Sequence, residues 1–203
     1  MDCRFPSHGH IGKREANMGV IPASINTLSS QYPRRDQKDP AKYQYVDRVM
    51  KGLKGTPCCV QVSHALNMCG IPVPQSSYRR NPNPKLPING RDCSYLLATD
   101  ELEDFLQTNY GEPETINRDL NQTRSMEKVK AYIKDRPGLL IFRYSNLRVP
   151  APPDQFEHTE FWNGSRILQG DMAEKFLFER PRVLMWDTND PAKWLVDYMK
   201  TQP

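Results

Sequence analysis

The spacing of apolar positions changes part-way along this 203-residue chain. In the first two-thirds they recur every three or four residues, the period of a helix with one buried face. Tyr45, Val49 and Leu53 form such a stripe over residues 42–53, closed by Lys54-Gly55. Cys58, Val62, Ala65 and Cys69 form the next, with Thr56 as N-cap, Pro57 at the first helical position and Gly70 as the stop. A helix opening at Thr99-Asp100-Glu101 runs through Leu102, Phe105 and Leu106 and ends before Gly111. Another spans residues 123–134, with Ser125 as a cap and Met126, Val129 and Ile133 spaced for burial. Residues 1–40 carry few periodic apolar positions, so an irregular arm over 1–22 and one short helix over 23–30 are expected.

The later part follows a strand pattern. Gly138-Leu139-Leu140-Ile141-Phe142-Arg143-Tyr144 is a short apolar run after Pro-Gly, a buried strand. His158-Thr159-Glu160-Phe161-Trp162 alternates, and Asn163-Gly164 after it is a strong hairpin signal, with residues 165–168 as the returning strand. Residues 183–186 read as a further strand and 194–199 as a terminal helix or strand. Residues 72–90, with five prolines and a basic bias, read as a long loop, either solvated or the wall of a substrate groove. Helices first and an antiparallel sheet afterwards make an α+β chain, one domain over 1–203.

Composition narrows the functional classes. The net charge of +4, with basic clusters at Arg34-Arg35, Lys51/Lys54 and Arg79-Arg80, suits an anionic partner such as a cell-wall polymer or an acidic protein. It lacks the dense basic run with interleaved aromatics that nucleic acid requires, so no nucleic-acid partner is expected. No apolar run approaches a membrane span, and no signal-peptide h-region opens the chain, so no membrane insertion and no general secretion route are expected. The five cysteines form no C-x-x-C pair, which argues against structural zinc. His8-Gly9-His10 is at most half a metal site.

A thiol at a helix start sits where partial positive charge favours a thiolate and where backbone amides can hold an oxyanion. Cys58 has that place; the other reading is that Cys58 and Cys59 are small buried apolar residues. His158, on a strand about a hundred residues later, completes the papain-like order, in which cysteine and histidine meet only in the fold. His64 follows Cys58 by six residues, about 600° of helical rotation and about 9 Å of rise. It therefore faces away from the sulfur, and a surface or supporting role is expected for it.

These motifs resemble the type VI secretion amidase effectors of the fourth family, NlpC-type (papain-like) cysteine peptidases. Cys58-Cys59-Val60-Gln61-Val62-Ser63-His64-Ala65-Leu66-Asn67 with Gly70 matches that family's cysteine motif, and Glu157-His158-Thr159-Glu160-Phe161-Trp162-Asn163-Gly164 its histidine motif. Anchoring on Val-Ser-x-Ala-Leu-Asn puts Cys58 rather than Cys59 in register. Gln61 stands where the family usually has Arg, and Glu157 where it has Gly.

The resemblance implies a papain-like fold with catalytic Cys58 and His158 and, about a dozen residues beyond, an acid for which Asp171 is the nearest candidate and Glu160 the substitute. Gln61, Trp162 and Asn163 would contact substrate, with no metal or cofactor. It implies an antibacterial toxin that hydrolyses peptidoglycan stem peptides between D-glutamate and meso-diaminopimelate. Delivery would be by the type VI machinery into a target-cell periplasm, with a cognate immunity protein as partner. The alternatives are a papain-like protease, deamidase or acyltransferase acting on a protein, or a non-catalytic binding module on the same fold.

Overall fold

The computed structural model describes residues 19–34, 40–51, 57–77, 85–88, 91–116, 125–145, 157–169 and 173–189. In chain order these give β1 (Val20–Ile21), α1 (Ile25–Gln31), α2 (Pro40–Met50), α3 (Cys58–Met68), β2 (Lys85–Ile88), β3 (Arg91–Ser94), α4 (Thr99–Tyr110), β4 (Glu114–Thr115), α5 (Met126–Tyr132), β5 (Gly138–Arg143), β6 (His158–Trp162), α6 (Phe176–Glu179) and β7 (Arg182–Thr188). The chain is α+β.

The main sheet is built around β5, antiparallel to β7 on one side and to β6 on the other. β6 is an edge strand. The far edge of β7 is shared by β4, antiparallel, and β1, parallel. Every residue of β5 is buried, as its uninterrupted apolar run requires. Its side chains divide by the strand period of two. Leu139 and Ile141 join Phe161, Leu184 and Trp186 in one core with α1, α3 and α4. Leu140 and Phe142 join Trp162, Val183 and Met185 in the other, with Val129 of α5 and Leu177 of α6. The sheet therefore lies between two helical layers.

α3 is the most enclosed helix, and the amphipathic stripe expected of it understates its burial. Residues 58–66 are buried on every side. Cys58, Cys59, Val62, Ala65 and Leu66 face the first core. Val60 turns the opposite way, into a small cluster with Val46 and Val49 of α2 and with Tyr95. The helix stops as the sequence predicts: Gly70 takes φ +81°, its N–H donates to Asn67 O at 3.1 Å, and the Ile71 N–H donates to Leu66 O at 2.9 Å. Those two bonds are a Schellman cap. Polar motif residues fasten neighbouring segments to this helix. Ser63 Oγ accepts the Leu96 N–H at 3.1 Å, while Asn67 donates to Ser94 O at 2.7 Å and accepts from the Val73 N–H at 3.2 Å.

Several expectations need correction. Part of the stretch read as a loop over 72–90 is strand: Lys85–Ile88 pairs with Arg91–Ser94 in a two-stranded sheet that accommodates Pro87. Val20 and Ile21, assigned to the irregular arm, pair with β7. Residues 165–168 return beside β6 through a single bridge, Trp162 to Ile167, rather than a full strand. His64 is not at the surface. It is 2% exposed, stacked between Tyr45 and Tyr95, with Nδ1 3.1 Å from the Tyr95 hydroxyl. Thr56, Leu53, His8, His10 and the terminal segment 194–199 lie outside the described residues. Among the described residues, no helix is long and apolar enough to cross a membrane.

Candidate active site

α3 begins at Cys58 because Pro57, already at helical φ and ψ, donates no N–H, while its carbonyl accepts the Gln61 N–H at 2.9 Å. The positive end of the helix dipole therefore falls on Cys58. α3 packs against β6, and the Cys58 thiol shares a hydrogen bond with the His158 imidazole at the start of that strand. The imidazole is held by rings on two elements: it stacks on Phe142 of β5 at 5.9 Å between centroids and meets Phe176 of α6 edge-on at 5.7 Å.

Behind the imidazole is a buried carboxylate. Glu160, two residues along β6 and on the same side of the strand, places Oε2 3.7 Å from His158 Nε2. Its Oε1 accepts the Phe161 N–H at 3.0 Å. The Tyr32 phenol, just after α1, faces the same carboxylate, and its ring meets Phe161 edge-on at 5.5 Å. Cys58, His158, Glu160 and Tyr32 are thus neighbours in an apolar surround.

Electrostatics follow from this geometry. Burial works against charge on His158, but the hydrogen bonds and negative charges of Cys58 and Glu160 outweigh it and push the imidazole up to about 10. Burial raises Glu160, partly offset by His158, Tyr32 and the Phe161 N–H. Burial and the Glu160 carboxylate raise Tyr32 well above the usual phenol range. Cys59 differs from Cys58: its hydrogen bond to the Cys58 sulfur, with burial, holds its thiol well above the ordinary value. The adjacent thiols therefore differ in surroundings: the Cys58 sulfur lies against the imidazole, and the Cys59 thiol against the Cys58 sulfur.

The other residues marked from the sequence have different positions. Gln61 is fully buried, and its amide donates to Pro33 O at 2.8 Å and to Gln169 Oε1, joining the segments after α1 and after β6. Trp162 is 1% exposed, sits in the opposite core and donates its indole N–H to Ile133 O at 3.0 Å. Asn163 shapes the turn: its Oδ1 accepts from the Ser165 N–H, the Ser165 hydroxyl and the Arg166 N–H, each at 2.9 Å. Cys58 and His158 are thus brought together, whereas Trp162 packs and Asn163 shapes a turn. Asp171 lies outside the described residues. Among the described residues there is no group of three or more His, Cys, Asp and Glu able to hold a metal ion.

Sequence reasoning passed over Tyr32 and Arg143. Tyr32 follows an unremarkable short helix and carries no local signal. Arg143 did carry one, as a cation ending an otherwise apolar strand. It is fully buried and meets Asp100, Glu103 and Glu157 at 2.5, 3.5 and 2.8 Å.

The comparisons with known proteins agree with this architecture. Residues 55–191 match the model of the family described as type VI secretion system amidase effector protein 4, Tae4. Among solved structures, the type VI effector Tae4 from Enterobacter cloacae is similar at TM-score 0.53 and 18% identity, over 85% of this chain and 99% of that one. The effector Tae4 from Salmonella typhimurium, solved in complex with the immunity protein Tai4 from Enterobacter cloacae, is similar at TM-score 0.52 and 15% identity, over 82% and 99%. At such identities the likeness is one of fold. No curated protein matches the chain.

Proposed function

The chain belongs to the type VI secretion amidase effector 4 family, and from that premise we propose that it hydrolyses an amide bond of peptidoglycan stem peptides with Cys58 as nucleophile, in a papain-like (NlpC-type) arrangement. The observation that carries the residue assignment is the neighbourhood of Cys58, His158 and Glu160 at the meeting of a helix start and a sheet edge.

In this reading His158 takes the Cys58 proton, and the thiolate attacks the carbonyl carbon of the scissile amide. The negative charge collects on the carbonyl oxygen, where the helix start offers N–H donors and a favourable dipole. The imidazolium then protonates the leaving amine as the C–N bond breaks, leaving a thioester on Cys58. Water, deprotonated by His158, attacks the thioester; the acyl group leaves as a carboxylic acid and the thiol is restored. Glu160 faces Nε2, holds the ring and stabilises its charge, which leaves Nδ1 to exchange the proton with Cys58. The proposed bond is the one between D-glutamate and meso-diaminopimelate. An immunity protein is the proposed partner, as in the solved effector complex, with delivery by the type VI machinery into a target-cell periplasm.

The test is purified protein on Gram-negative sacculi, wild type beside Cys58→Ala and Cys59→Ala, with fragments identified by mass spectrometry. Release abolished by Cys58→Ala and retained by Cys59→Ala supports the assignment, and the fragments name the bond. Release that survives Cys58→Ala and fails in Cys59→Ala moves the nucleophile by one residue. No release from wild type directs the search to a protein substrate.

A further inference from the structure

Two consecutive residues of β5 grip the first residue of β6 and the residue before it. Phe142 is paired across the strands with His158 and stacks on its ring. The next residue, Arg143, projects to the α4 side and holds the Glu157 carboxylate at 2.8 Å. Glu157 also accepts from the Thr99 hydroxyl and from the Tyr144 N–H, the latter at 3.2 Å. Arg143 is tied in turn to Asp100 and Glu103 of α4, and Glu103 meets Arg182 of β7 at 3.6 Å. Glu157 is thereby bound to the first turn of α4, to β5 and, through Glu103, to β7.

This is an expensive way to stabilise a fold. Replacing a buried ion cluster with well-packed apolar residues is often neutral or stabilising, so its value is better sought in the geometry it imposes. The residue whose geometry it fixes is the next one, His158. The charge of Glu157 is answered by Arg143, and the charges that hold the His158 proton are those of Cys58 and Glu160. Glu157 is the residue through which the chain enters β6, one position before His158.

We propose that Glu157, clasped by Arg143, is a positioning residue that aims the His158 imidazole at the Cys58 sulfur. The proposal rests on reading Cys58 and His158 as the reacting pair. Small displacements of such a pair cost rate out of proportion to their effect on binding. Glu157→Gln keeps the shape and an acceptor for the Tyr144 N–H but loses the charge-assisted bond to Arg143. Arg143→Lys keeps the charge but loses the planar fork.

The experiment measures kcat and KM of each variant on soluble disaccharide-tetrapeptides prepared from Gram-negative sacculi, and separately the iodoacetamide alkylation rate of Cys58, all well below each variant's Tm. The expected result for both variants is kcat lowered about fivefold or more, KM within about twofold, and alkylation slowed in proportion. A purely structural role would lower Tm and leave both rates of the folded protein within about twofold of wild type, which overturns the proposal. If Glu157→Gln does not fold, Arg143→Lys decides on the same criteria. A wild-type Cys58 that alkylates no faster than free cysteine overturns the reacting pair and the clasp together. Fast wild-type alkylation with unaffected variants overturns the clasp alone.

Discussion

His158 is held protonated by two neighbours against the opposing effect of burial, so its charge should respond to each neighbour separately. Removing the sulfur in Cys58→Ala should lower the imidazole pKa from about 10. Removing Glu160's charge as well, in Cys58→Ala/Glu160→Gln, leaves burial in command and should take it below 6.5, its ordinary value. The measurement is the pH titration of the imidazole Cε1–H resonance in each protein, and a titration midpoint indifferent to Cys58 would separate the two residues. The linkage has a definite sign. The folded pKa lies above the unfolded one, so the stabilisation from protonated His158 is complete below pH 6.5 and is lost as pH rises through about 10. The two adjacent thiols make a second contrast at this scale. Cys59 is pushed up by its bond to Cys58 and by burial, so at pH 7 iodoacetamide should label Cys58 about tenfold faster or more, as peptide mapping would show. Equal labelling would remove the distinction between them.

Among elements, β5 and β7 approach closely at Gly138. A Cβ there would lie 2.6 Å from the Trp186 carbonyl oxygen across the β5–β7 pairing, and that oxygen belongs to backbone that cannot rotate away. Gly138→Ala should therefore cost about 1–3 kcal/mol in urea unfolding, the usual range for overpacking. A neutral result would mean that β7 shifts freely at this point. The period of apolar positions made most elements legible: β5 from its unbroken run, α4 and α5 from their stripes and starts, the turn after β6 from Asn163-Gly164. The hairpin of β2 and β3 was obscured by Pro87, which ordinarily argues against a strand. The burial of His64 and Trp162 was illegible for a different reason. Whether a polar or amphipathic side chain faces substrate, solvent or another element depends on long-range packing: α2 covers the His64 side of α3, and the Ile133 carbonyl waits for the Trp162 indole. At the site, the spacing of Cys58 and His158 was readable because helix start and strand each have a local signature. Glu160 ranks behind Asp171 by distance along the chain from His158, and that distance carries no sign that Glu160 Oε2 comes to 3.7 Å from the ring.

At the scale of the whole molecule, one three-strand unit serves two cores. β5, β6 and β7 send alternate side chains to opposite faces, so neither core can be dismantled without disturbing strands that also line the other. Leu139→Ala empties space in the first core and Leu140→Ala in the second, and each should cost about 2–5 kcal/mol. The protein carries its own reporters, Trp186 in the first core and Trp162 in the second. In Trp162→Phe the fluorescence change follows the first core, and in Trp186→Phe the second, against a common background from the remaining tryptophan. With shared strands, Leu139→Ala should lower the urea midpoint seen by both reporters equally, and Leu140→Ala should do the same, each coinciding with loss of far-UV circular dichroism. Midpoints that separate, with each leucine affecting its own tryptophan only, would mean that the two faces of the sheet unfold independently. The distinction reaches the site itself. Cys58 packs with the first core, while the Phe142 and Phe176 rings that hold His158 belong to the second. Cooperative unfolding would keep thiol and imidazole in register for as long as the molecule is folded, whereas independent faces would let the pair come apart first.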